Sequence, residues 1–168
     1  MNRRRSSLVL VAAAALALGL GGCSGLNSLA GGETRDEASG EITEGGTTDV
    51  FQLRVGDCLN DELTEEATEV TDVPTVPCTD PHSYEVFENI TMAEADEYPG
   101  EDATTQQAED GCLAAYDAFV GLTYQESKYD FSYYYPTSES WGGGDRTINC
   151  LITDPEGLTT GSLAGVAA

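Results

Sequence analysis

Residues 103–120 read ATTQQAEDGCLAAYDAFV, and two later stretches read KYDFSYYYP (128–136) and RTINCLIT (146–153). In the first, Ala108, Cys112, Ala115, Tyr116 and Phe119 recur at helical spacing, so the period predicts one long helix with an apolar stripe. Asp102 or Thr104 is placed to cap its start, and Gly121 follows its last turn. The small Ala108 and Ala115 allow close approach to a sheet. In the second stretch the period falls to two, with Tyr129, Phe131, Tyr133 and Tyr135 on one side. The third repeats the pattern and turns Ile148, Cys150 and Ile152 inward. One helix laid over alternating strands is an α+β arrangement: a small antiparallel sheet with the helix packed on one face.

Tyr84–Met92 reads as another strand, with Tyr84, Val86, Ile90 and Met92 alternating and Glu88 as the exception. Val73–Cys78 carries Pro74 and Pro77, which predicts an edge or entry strand. Val50–Val55 is expected to be a short strand, closed by a Gly56-Asp57 turn. Residues 61–72 include Asp61, Glu62, Glu65, Glu66, Glu69 and Asp72. A helix there would stack like charges three and four apart, so a solvated loop or frayed turn is expected. Its spacing lacks the Asp-x-Asp-x-Asp-Gly core of an EF-hand calcium loop. Thr137–Asp145, with Trp141 before three glycines, reads as a long turn.

The chain has 168 residues with 30 acids against seven bases, a formal net charge of −23. Arg3, Arg4 and Arg5 stand at the start, and the first acid comes after residue 22. Residues 23–168 therefore carry all 30 acids and four bases. So acidic a surface repels phosphate backbones, which argues against nucleic acid as a partner. Leu8–Leu20 is a short apolar run, too short to span a bilayer comfortably. With the basic start it reads as a secretory signal over 1–22. Leu20-Gly21-Gly22-Cys23 resembles the lipobox of bacterial lipoproteins. Cys23 is then the lipidated residue, and its several acyl chains, palmitate among them, anchor the protein on the outer face of the cell membrane. Residues 23–49 are polar and acidic, with Leu26, Leu29 and Ile42 as the only larger apolar side chains. They are expected to form a disordered tether to a folded domain over 50–163. Residues 164–168 are expected to be a flexible tail.

Setting Cys23 aside, Cys58, Cys78, Cys112 and Cys150 make an even set in an exported domain, so two disulfides are expected. Three pairings are possible. Cys58–Cys78 with Cys112–Cys150 is favoured, because it closes the acidic loop locally and staples the helix to the last strand. No Cys-x-x-Cys pair is present, and scattered thiols with a single histidine argue against zinc. No cofactor motif or phosphate loop is found. His82 lacks a nucleophile elbow nearby, so it is read as closing a turn after Cys78. Paired carboxylates could cut a glycosidic bond, but with so many acids the signal has little specificity. The aromatic cluster from Tyr129 to Trp141 is read mainly as core. Tyr134, opposite its flanking aromatics, and Trp141 are the members expected to be exposed for a ligand.

Leu53-Arg54-Val55-Gly56-Asp57-Cys58-Leu59 and Val76-Pro77-Cys78-Thr79-Asp80-Pro81-His82-Ser83-Tyr84-Glu85-Val86-Phe87 resemble the septum formation domain of actinobacteria. Cys112 in a helix, Tyr135-Pro136-Thr137 before Trp141, Gly144-Asp145-Arg146-Thr147-Ile148-Asn149-Cys150-Leu151 and Thr160-Gly161-Ser162-Leu163 follow in the same order. The resemblance implies a role in septum formation at the outer face of the membrane, without assigned catalytic residues. The expected function is therefore non-enzymatic: a lipid-anchored envelope protein that binds an envelope or division protein in septum formation or cell-wall growth. Its contact candidates are Asp57, His82, Glu85, Tyr134, Trp141 and Arg146. An envelope hydrolase using two close carboxylates, or a structural surface protein without a defined ligand, are the alternatives.

Overall fold

The computed structural model describes residues 31–61 and 69–168. The expected signal, the lipidated Cys23, the first part of the tether and residues 62–68 of the acidic insert lie outside the described residues. No described helix is long and apolar enough to cross a membrane.

The fold is α+β. Its strands in chain order are β1 (Thr34–Arg35), β2 (Ile42–Glu44), β3 (Gly46–Asp49), β4 (Cys58–Leu59), β5 (Asp72–Val76), β6 (Tyr84–Thr91), β7 (Asp130–Tyr134) and β8 (Thr147–Thr153). Helix α1 (Glu101–Val120) follows β6, and the short α2 (Ser138–Gly142) lies between β7 and β8. Six strands form one antiparallel sheet in the order β3-β5-β4-β6-β8-β7, and β1 and β2 form a separate hairpin.

Helix α1 packs on one face of the sheet, as its apolar stripe predicts. Ala108, Cys112, Tyr116 and Val120 are buried against Phe87, Ile148, Cys150 and Ile152. Burying each large aliphatic side chain contributes roughly 1.5–3 kcal/mol. The helix begins two residues earlier than expected, and its N-cap is Gly100, with no side-chain cap. Thr104 instead turns inward and donates its hydroxyl to the Gly100 carbonyl at 2.9 Å, so neither Asp102 nor Thr104 is the cap. Gly121 ends the helix in the left-handed conformation at φ 83°, as expected. The side chain of Ile90 fills the space a Cβ on Gly111 would take, which brings the helix onto β6.

The opposite face carries a second core of Val50, Leu53, Leu59, Val73, Val86, Tyr134 and Leu151. A bulge between Val86 and Glu88 explains why β6 alternates imperfectly. Val86 faces this second core, whereas Phe87 and Ile90 beyond it face the helix. The bulge shifts the side-chain period by one, and Glu88 falls out of the stripe.

Several expectations are corrected. Val50–Gln52 is a 3-10 turn, not a strand, because Asp49 caps it by accepting the Phe51 N–H at 2.8 Å. β5 lies inside the sheet between β3 and β4, despite Pro74. The Pro74 carbonyl accepts from Asn60 N, one residue past the end of the two-residue β4. N–H and C=O of one strand residue point the same way, so the missing donor falls where β4 runs out. Thr137–Asp145 holds α2, started by a capping box in which Thr137 and Ser140 satisfy each other's backbone N–H.

The described domain also begins before Val50. Residues 31–49, expected as tether, supply the β1–β2 hairpin and edge strand β3, which pairs with β5 from Gly46↔Thr75 to Asp49↔Asp72. The buried Thr48 and Thr75 hydroxyls bond across that pair at 2.6 Å. The carboxyl-terminal tail is docked as well. Gly165 and Ala167 donate their N–H groups to the Phe119 and Val120 carbonyls, which the end of α1 leaves open.

Both favoured disulfides are present, Cys58–Cys78 and Cys112–Cys150. The first ties β4 to the chain just past β5. The second joins the middle of α1 to β8 through the buried helix–sheet core.

Candidate functional site

The six contact candidates fall in four places. Asp57 and Glu85 line one cleft of about 650 Å³, between the β1–β2 hairpin, the 54–57 turn and the Pro77–Thr79 segment. Both carboxylates are almost fully buried. Asp57 receives the Arg35 guanidinium on both oxygens, at 2.6 and 2.8 Å, and the Arg54 N–H at 2.8 Å. That fork-to-fork geometry is the strong form of a charged hydrogen bond. The Asp57 carboxylate accordingly holds the Arg35 guanidinium above its ordinary pKa, against the opposing effect of burial. Glu85 accepts the Ser162 hydroxyl at 2.6 Å and the Leu163 N–H at 2.7 Å, which pins the carboxyl-terminal segment to β6. The two carboxylates are thus committed to holding the segments around Arg35 and Ser162 on the sheet.

His82 is fully buried and lies apart from that cleft. Its backbone exchanges hydrogen bonds with Thr159, and Nδ1 lies 2.9 Å from the Asp80 carbonyl. The ring closes the turn after Cys78 locally, as expected. Among the described residues Nε2 has no hydrogen-bond partner.

Tyr134, expected to be exposed, is 8% exposed and belongs to the second core. It does lie opposite its flanking aromatics, but the 50–53 turn and β5 cover that face of the sheet. Its hydroxyl donates to Asp61 at 2.5 Å. Burial first, and the Asp61 carboxylate second, push the phenol well above its usual pKa.

Trp141 is also buried, at 4% exposure. The Arg146 guanidinium stacks on its ring at 3.6 Å, and the indole N–H donates to the Ala95 carbonyl at 3.2 Å. Arg146 donates to the Trp141, Asp145 and Ala95 carbonyls. The pair locks α2, the 93–100 loop and the start of β8 together. Neither aromatic forms the exposed platform that strand alternation suggested.

Sequence reasoning missed Arg35, the partner of Asp57. A signal was available: it is the one base among the six acids of residues 24–49. It also missed a groove between α1 and β7, lined by Glu109, Asp110, Leu113, Tyr124, Phe131 and Tyr133. No group of three or more metal-ligating side chains occurs among the described residues. The candidate residues chiefly do one thing chemically: they accept and donate hydrogen bonds that hold loops and termini on the sheet.

Two curated relatives, from Mycobacterium tuberculosis and Mycobacterium bovis, both carry the name "Putative lipoprotein LppN". Each is 29% identical over 116 residues, covering 67% of this chain and 62% of the relative. The chain thus spans about three fifths of the length of the curated relatives it matches. No solved structure matches it. The family model described as septum formation matches residues 23–157. With four fifths of its length inside that match, the chain belongs to the septum formation family.

Proposed function

We propose that the protein is a non-enzymatic, lipid-anchored envelope domain on the outer face of the cell membrane, which binds a protein partner in septum formation or cell-wall growth. The observation that carries this reading is the family match over residues 23–157. The lipoprotein name of the two relatives and the Leu20-Gly21-Gly22-Cys23 junction support anchoring through Cys23. The engagement of Asp57 and Glu85 supports binding over carboxylate chemistry. Both oxygens of each of these cleft-lining acids accept from donors of its own chain.

Proximity cross-linking of the anchored protein in its native cells tests the proposal. Envelope or division proteins should be recovered above background. Their absence overturns the binding role. Release of a Cys23→Ala variant from the membrane fraction is the expected result for the anchor. Unchanged retention overturns lipidation.

A further inference from the structure

The groove between α1 and β7 lies along the open edge of the sheet, since β7 is the last strand and, among the described residues, pairs only with β8. Its floor is aromatic and its rim acidic. Phe131 and Tyr133 alternate on the helix-facing side of β7, with Tyr124 against Phe131 at 5.1 Å and Tyr135 against Tyr133 at 5.9 Å. On the helix, Glu109 and Leu113 stand four residues apart and so share a face. Leu113 is 40% exposed, one of the few large apolar side chains left to solvent.

The carboxylates are held beside the rings. Tyr124 donates to Asp130 at 2.7 Å, Tyr133 to Glu109 at 3.4 Å and Tyr135 to Glu101 at 3.3 Å. Asp110 adds a further charge to the groove wall. The bases beyond the first segment are spent elsewhere. Arg35 is on Asp57, Lys128 on Asp154, Arg146 against Trp141 and Glu94, and Arg54 at the opposite edge beside Gly40. The strip is thus negative and aromatic without an internal counter-charge from these bases.

We propose that this strip is a docking surface for a lysine- or arginine-rich segment of a partner polypeptide. The proposal rests on the protein-binding function above and names its surface and its partner's chemistry. Charge complementarity identifies the occupant. From residue 131 to 135 an extended strand runs about 13 Å. One amine would meet one carboxylate over that length. A polypeptide with several cations meets Asp130, Glu109, Asp110 and Glu101 together, lays its alkyl stems on the tyrosines and covers Leu113.

The test uses the oxidised full chain in neutral detergent at 150 mM salt, with fluorescein-labelled decalysine as the probe and fluorescence anisotropy as the readout. At that salt the Debye length is about 8 Å, so scattered acids act only locally. The paired substitution Glu109→Gln with Asp110→Asn should weaken binding about tenfold. Glu37→Gln with Glu41→Gln removes the same charge from the hairpin at the opposite edge and should change it less than twofold. Leu113→Asn, which leaves the charge intact, should weaken it about threefold. Equal loss in both charge variants, or no binding, overturns the proposal. So does a concentration-dependent dimer that Leu113→Asn abolishes, since a second copy would then be the occupant. If cross-linking recovers an envelope partner while the groove variants behave as wild type, only this surface is refuted. If cross-linking fails as well, the binding function falls with it.

Discussion

Removing the Arg35 side chain should destabilise the domain severely, although the residue lies in a stretch whose composition reads as tether. Its guanidinium is nearly enclosed, with the side chain 13% exposed against 4% for Asp57. Arg35→Ala leaves the Asp57 carboxylate buried with only the Arg54 N–H as a strong donor. Breaking a buried ion pair from one side costs about 3–5 kcal/mol. At about 3 °C per kcal/mol for a domain of this size, the melting temperature should fall by about 10 °C. Asp57→Asn should cost less, because it keeps the shape and removes the buried charge. The double variant should lose less than the sum of the two single losses, since each removes the other's unpaired group. Thermal unfolding by circular dichroism on the oxidised protein measures all three. An Arg35→Ala variant melting within a degree of wild type would rule out a buried Arg35–Asp57 clasp. It would mean that residues 31–49 do not dock on Asp57 and that the domain starts later than the sheet indicates.

Replacing Cys112 and Cys150 together by alanine should cost about 4 kcal/mol, and Cys58 with Cys78 about 3 kcal/mol, from closed loops of 38 and 20 residues. Urea midpoints would give both, and the reverse ranking would count against the loop-entropy account. Tyr134 makes stability fall in alkali. Its pKa is about 10 when unfolded and higher when folded, so its contribution is intact below pH 10 and lost as pH rises towards the folded value. Tyr134→Phe should flatten the change in urea midpoint between pH 9 and pH 10.5; an unchanged slope would clear Tyr134 of that role. Gly46→Ala should cost about 1–3 kcal/mol, since its Cβ would sit 2.5 Å from Gly32 C and Glu33 N, which are backbone atoms with little room to give. A melting temperature equal to wild type would show that residues 32–33 do not lie against β3.

Burial on one face only makes a strand or helix legible, because it writes a period into the residues. Phe131 and Tyr133 follow that rule, and so does the stripe from Ala108 to Phe119. Where both faces are covered the rule loses its grip. Tyr134 alternates correctly but meets a second core, so its burial followed from the 50–53 turn and β5 instead of from its own strand. Trp141 sits before three glycines, a composition that suggests an exposed turn, yet Arg146 and Ala95 enclose it. The bulge at Val86–Glu88 was visible only as one misplaced acid.

Local period, turn chemistry and simple counting give the α+β class, the strand–helix–strand order, the helix stop at Gly121 and a count of two disulfides, with three pairings of the four cysteines still open. Three-dimensional contacts select Cys58–Cys78 with Cys112–Cys150, pair residues 46–49 with β5, dock residues 165 and 167 on the end of α1, and make clasps of Asp57 and Glu85. Those outcomes depend on partners 22 residues away for Arg35–Asp57 and 77 away for Ser162–Glu85. A polar, acidic segment writes no apolar period of its own. Whether it orders depends on where the fold places a buried partner for its charge.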